Sequence, residues 1–288
     1  MKHTSNRRVG VVVAVLSGLA LTAATSTAAH ADDHTDTRPD VIAHRGSSGM
    51  APENTAAAID LAIDQHADFV EIDVQRTKDG TLVNFHDCTM ERTTNIEEIY
   101  PGRPRYRVSD FTWTELRRLD AGSWFHPDHT GERLITVDHV ISRIDHTRTG
   151  LLAEISPCGH YTDIATDLAE NLRNKPRYLR RALAREQLAV QSFQTDDARQ
   201  FHTHLPHIPI GLLDADRPTD TELTELSTWA DQVNPQHTVT DQALVDRIHQ
   251  LGMDTNVWTV NEPGTMREMA ALGVDGIITD YPQSLTQP

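Results

Sequence analysis

Cationic residues are what this chain is short of. Its 288 residues include 26 Lys or Arg against 42 Asp or Glu, a formal net charge of −16. That balance excludes holding nucleic acid or another polyanion by bulk electrostatics. An anionic substrate must be drawn by a local cation. Cysteine is scarce as well. Cys88 and Cys158 are the two present, so the options are one disulfide or two unpaired buried thiols. There is no Gly/Ser-rich or Pro-rich linker and no repeat of fixed period, which argues for one domain. The longest apolar run near the start, 9–21, is short for a membrane span and contains Ser17 and Gly18.

What is present at the start is a basic, then apolar, then small-residue layout. Lys2, Arg7 and Arg8 precede the apolar run, and Ala29-His30-Ala31 supplies an A-x-A site. This predicts a secretory signal peptide over 1–31, cleaved after Ala31, and a secreted mature chain of 32–288. No cysteine lies near the cleavage site to carry a lipid anchor, so no stable membrane insertion is expected after cleavage. Cleavage removes three basic and no acidic residues, taking the net charge from −16 to −19.

Short β-rich runs recur at 41–44, 69–74, 82–86, 150–155, 188–193, 208–213, 232–234, 256–260 and 276–279. Several are nearly continuous apolar stretches, as strands covered on both faces require. Amphipathic helical patterns separate them at 55–66, 163–172, 198–204, 241–251 and 263–272. The alternation predicts an α/β fold, a parallel barrel. Nine runs exceed the eight a barrel needs, and 232–234 is read as an extended loop. The turn Lys78-Asp79-Gly80 is too short for a parallel crossover and signals a hairpin. A symmetric hairpin sets Glu71 opposite His86 and Asp73 opposite Asn84, all on one face. The long interval 88–149 reads as an insertion over the barrel mouth.

Chemistry in such barrels gathers at the carboxyl ends of strands. His44 and Arg45 end the first run, Glu71 and Asp73 lie on the second, His86 and Asp87 end the third, and Glu154 closes the fourth. Carboxylates at i and i+2 point the same way. With Glu154 they offer hard oxygen donors suited to Mg²⁺ or Ca²⁺, the alternative being ordinary ion pairs with Arg45, Arg76 or lysines. Two imidazoles beside carboxylates can pass a proton in each direction. Arg45 presents a fork of donors for a phosphate, and Gly46 leaves the backbone open to it. Pro52-Glu53-Asn54-Thr55 reads as loop into helix, with Asn54 or Thr55 capping. Trp258 is either the wall for a polyol or headgroup or simple packing. Gln191-Ser192-Phe193 could add polar contacts on the same rim.

These pieces resemble a family, the glycerophosphodiester phosphodiesterases of the phospholipase C-like phosphodiesterase barrels. The matching stretches are HRG at 44–46, PENT at 52–55, EIDVQRTKDG at 71–80, HD at 86–87, RTTN at 92–95, LDAGSWF at 119–125, AEI at 153–155, QSF at 191–193, WTVN at 258–261 and DGIITDYP at 275–282. They run in order through the chain. The resemblance implies a distorted (β/α)8 TIM barrel with an inserted segment after the third strand. It also implies hydrolysis of a small-molecule glycerophosphodiester to sn-glycerol 3-phosphate and an alcohol.

Carried over by residue, the resemblance makes His44 and His86 the acid and base, and Glu71, Asp73 and Glu154 the ligands of a divalent metal, Ca²⁺ or Mg²⁺. Arg45 would contact the phosphate and Trp258 the glycerol or headgroup. A disulfide between Cys88 and Cys158 would cross the rim. One departure stands out: the family's E-x-K lysine is Ser156 here, so Arg45 and the metal suffice, His160 or an arginine of the insertion substitutes, or substrate preference has moved. Two rivals follow. A phospholipase C-like or sphingomyelinase D-like enzyme would want an apolar membrane-facing loop, where 88–149 carries charge and histidine. A secreted non-catalytic binder of phosphorylated polyols would have no need of two histidines.

Overall fold

The computed structural model describes residues 38–155, 158 and 161–286. The expected signal peptide at 1–31, Ser156 and His160 lie outside the described residues.

Ten strands form, most of them from apolar runs: β1 (Asp40–Ala43), β2 (Phe69–Arg76), β3 (Leu82–Asn84), β4 (Ile135–Thr136), β5 (Gly150–Ile155), β6 (Leu188–Ser192), β7 (Ile210–Asp214), β8 (Gln232–Pro235), β9 (Asn256–Val257) and β10 (Gly276–Thr279). Eight of them pair in parallel in the order β8-β7-β6-β5-β2-β1-β10-β9. The ends of that path meet through the parallel bridges Gln232↔Asp254 and Gln236↔Trp258, which nearly closes a barrel. Helices between the strands cover the outside, and the main apolar core lies between the two layers, from Ile59 and Ile72 to Leu168 and Phe201. Among the described residues no helix is long and apolar enough to cross a membrane.

Three expectations need correcting. The run at 232–234 is a barrel strand, β8, and the run outside the eight is 82–86, whose β3 pairs antiparallel with β2 and β4. The hairpin register is also shifted by one, with Asn84 opposite Val74 and Leu82 opposite Arg76. The cause is the turn. Thr77 and Thr81 close it, with the Thr77 N–H donating to the Thr81 carbonyl at 2.9 Å, so three residues rather than two span the loop, and Gly80 takes the left-handed φ of +86°. Glu71 and His86 are therefore not ladder partners; His86 lies beyond the end of β3.

The interval at 88–149 divides in two. Residues between β3 and β4 enclose their own small core of Phe85, Met90, Ile96, Val108, Phe111, Leu116, Leu119 and Leu134. The barrel resumes earlier than expected, at the helix Val137–Ile144, whose Val137, Val140, Ile141 and Ile144 join the main core.

The turn after β1 positions the site. Arg45 and Gly46 both adopt left-handed φ, +55° and +81°. A Cβ on Gly46 would stand 2.6 Å from the Ala58 carbonyl carbon, so only glycine lets this turn lie against the following helix, Ala56–Asp64.

Candidate active site

The parallel register sets Asp73 beside Glu154 on the neighbouring strand, and period-2 alternation puts Glu71 on the same face as Asp73. Carboxylate oxygens of Glu71, Asp73 and Glu154 all lie within 4.8 Å of one another, and all three side chains are buried. Glu71 Oε2 accepts the Arg45 backbone N–H at 2.8 Å, while its Oε1 is buried with no partner. Asp73 accepts from Asn54 Nδ2 at 2.8 Å and lies 3.5 Å from Arg45 Nε. Glu154 accepts from Gln191 at 3.3 Å.

Burial, followed by the negative charge of the neighbouring carboxylates, pushes Glu71 and Glu154 well above the usual carboxylate range, and Arg45 offsets this only in part. Among the described residues the ion-pair alternative falls short: Arg76 pairs with Asp167 instead, no lysine pairs with the cluster, and Arg45 is the one guanidinium beside three carboxylates. An orphaned buried oxygen amid surplus negative charge is what a hard divalent cation would satisfy, so the residues present fit such an ion.

The two imidazoles are held alike. His44 Nδ1 lies 2.6 Å from Asp280 Oδ1, and Asp280 is gripped further by Ser48 Oγ at 2.9 Å and Asn261 Nδ2 at 2.6 Å. Burial alone would raise Asp280, but the His44 hydrogen bond and charge, with those other donors, hold it down at about 2. His86 Nδ1 lies 2.7 Å from Asp87 Oδ1, and Arg92 donates to both Asp87 oxygens. A hydrogen bond at Nδ1 fixes the ring and leaves Nε2 as the nitrogen able to exchange a proton.

Arg45 Nη1 donates to Glu53 at 2.9 Å, and Glu53 also accepts two bonds from Arg92, at 2.7 and 2.8 Å. Burial resists ionisation of Glu53, yet the two guanidiniums hold it below its ordinary value. Trp258 donates its indole N–H to the Asn234 carbonyl at 2.7 Å and meets Phe193 edge-on at 5.2 Å. His44, Arg45, Asp73, His86, Glu154 and Trp258 line one cavity of about 110 Å³. Glu71, buried in the same acidic cluster, is not among the lining residues. Cys88 and Cys158, with Cα atoms 5.4 Å apart, are joined by a disulfide between the segments following β3 and β5.

Several residues of the site do not emerge from sequence reasoning. Asp280 ends β10 as His44 ends β1, so the strand-end rule points to it, but nothing local pairs it with His44. The tie between Glu53 and Arg92 has no local signal either. Asn54 is not the helix cap: Thr55 caps, accepting from Ala58 N–H, and Asn54, at φ +60°, turns to Asp73.

Comparison with known proteins agrees with this geometry. A family model described as the glycerophosphoryl diester phosphodiesterase family matches residues 44–284. The chain is 38% identical over 247 residues to the Bacillus subtilis protein YhdW, covering 84% of this chain and 94% of that one. It is 35% identical over 246 residues to a glycerophosphodiester phosphodiesterase of Caldanaerobacter subterraneus, covering 85% and 95%. Among solved structures it resembles an Oleispira antarctica phosphodiesterase in complex with the product sn-glycerol-3-phosphate, at 28% identity and a TM-score of 0.72, covering 86% of this chain and 95% of that one.

Proposed function

Since the chain belongs to the glycerophosphoryl diester phosphodiesterase family and is a phosphoric diester hydrolase, we propose that it cleaves glycerophosphodiesters to sn-glycerol 3-phosphate and an alcohol, with His44 and His86 as acid and base. The observation that carries this reading is one cavity flanked by two carboxylate-anchored imidazoles and a buried acidic triad. The Oleispira complex, with its bound product, supports the same substrate class.

Glu71, Asp73 and Glu154 would hold Ca²⁺ or Mg²⁺, which when bound supplies positive charge against the phosphate and acidifies the attacking hydroxyl. The remaining work falls to this chain's own groups. Arg45, with Nη1 held by Glu53, has its other terminal nitrogen left for a phosphate oxygen. That is the local cation a chain of such negative charge needs. One imidazole takes the proton from the attacking hydroxyl, either water or the glycerol 2-OH, the latter giving a cyclic phosphate. The other gives a proton to the departing alkoxide. Trp258 and Phe193 wall the side where the organic portion would lie.

The test is to incubate EDTA-stripped protein with a panel of glycerophosphodiesters, restore Ca²⁺ or Mg²⁺ singly, and measure glycerol 3-phosphate. Release should stop on stripping and return with one of the ions. Undiminished release without metal would contradict the cation's role.

Export belongs to the same proposal, with cleavage after Ala31. The disulfide supports it, because such bonds persist mainly in oxidising compartments. Mass spectrometry of protein from the culture medium should find Asp32 at the amino terminus; an intact Met1 would overturn this.

A further inference from the structure

We propose that Gln75 is the positioning residue for His86. This rests on the reading above that His86 transfers a proton. Gln75 is fully buried on β2, on the face it shares with Glu71 and Asp73 by strand alternation. Its Nε2 lies 2.9, 3.1 and 2.7 Å from the carbonyl oxygens of Phe85, His86 and Asp87. Consecutive carbonyls point in opposite directions along an extended chain. Three that converge on one nitrogen demand a tight turn, and their lone pairs repel unless a donor stands between them.

The amide is oriented from its far side. The Tyr161 hydroxyl donates to Gln75 Oε1 at 3.0 Å, so nitrogen must face the carbonyls. The same two segments, after β3 and after β5, are also tied by Cys88–Cys158. The backbone bearing His86 is thus fixed by an amide one residue to either side of it, while the ring is fixed separately by Asp87. Gln75 does not line the cavity, and its side-chain hydrogen bonds go to the turn and to Tyr161 rather than to Glu71, Asp73 or Glu154; it acts through the turn.

The test is a double-mutant cycle. Gln75→Met keeps the side chain's length and removes the donor. The expected result is a fall in kcat of about 10²-fold with KM nearly unchanged, the usual consequence of displacing a reacting group by about 1 Å. In a His86→Ala background the same change should have little further effect. Cation affinity, read by calorimetry, should not move. If Gln75→Met does not fold by circular dichroism, Tyr161→Phe, which frees the amide from its far side, is read in the same cycle. Equal losses in both backgrounds, no loss in either variant, or a matching loss of cation affinity overturns the proposal. Wild-type kcat in His86→Ala alone overturns the reading beneath it, and the proposal with it.

Discussion

His44→Ala and His86→Ala should each lower kcat by roughly 10² to 10⁴, the range for removing a positioned acid or base. Thermal stability should hardly move. The His44 and His86 side chains are 20% and 36% exposed, and their carboxylate partners keep other donors, Ser48 and Asn261 for Asp280 and Arg92 for Asp87. The pH profile of kcat/KM separates the roles. A base must be unprotonated and an acid protonated, so the wild type should show a bell. The variant that loses the rising limb has lost the base; the one that loses the falling limb has lost the acid. Asp280, held at about 2, stays ionised across that range and keeps His44 oriented on both limbs. Glycerol 3-phosphate release that survives both substitutions would falsify the mechanism.

Glu71→Gln should act in opposite directions on activity and on metal-free stability. Losing an outer partner of a metal ligand commonly costs 10- to 100-fold in affinity or activity. Losing one of three direct oxygen donors should cost at least about 10²-fold, measured by Ca²⁺ or Mg²⁺ titration. In EDTA-stripped protein, however, the carboxylate is buried among like charges with one oxygen unpartnered. Burial, then Asp73 and Glu154, push its pKa well above the ordinary 4.5. The native metal-free state therefore binds a proton that the unfolded chain releases. That contribution is complete below pH 4.5 and is lost as pH climbs through the raised native value. A neutral amide in its place carries no such penalty. The variant's melting temperature without metal should exceed the wild type's at pH 8, with the difference vanishing near pH 4. A variant less stable than wild type at pH 8 would mean that Arg45 already compensates the cluster and no cation is called for.

Sequence reading reaches as far as local rules reach. His44 and Glu154 each close a continuous apolar run, and Glu71 and Asp73 sit two apart on another, so strand ends and strand alternation nominate them without any contact map. Gln75 obeys the same alternation, but an amide carries neither charge nor proton chemistry and attracts no notice. The hairpin register fails for a different reason. One residue more or less in the turn around Asp79 reverses the face of every side chain beyond it, and composition does not count turn residues. β8 resembles a loop because its Asn234 and Pro235 are loop-like residues. Within the barrel, Asn234 is buried and satisfied, donating to Gln191 at 3.0 Å. The His44–Asp280 contact joins positions 236 apart, a pairing that only the closed barrel creates.

The seam between β1 and β10 has a bearing on how the molecule acquires activity. Its ladder joins Asp40 to Gly276, almost the full length of the described chain, whereas the small core between β3 and β4 is built from residues 83–134 alone. Short loops close faster than long ones. The small core between β3 and β4 can thus consolidate early, and the cylinder zips shut late, when its last strand arrives beside its first. Since His44 stands on one side of that seam and Asp280 on the other, a chain emerging amino-terminus first cannot make their 2.6 Å contact until its carboxyl-terminal residues are in place.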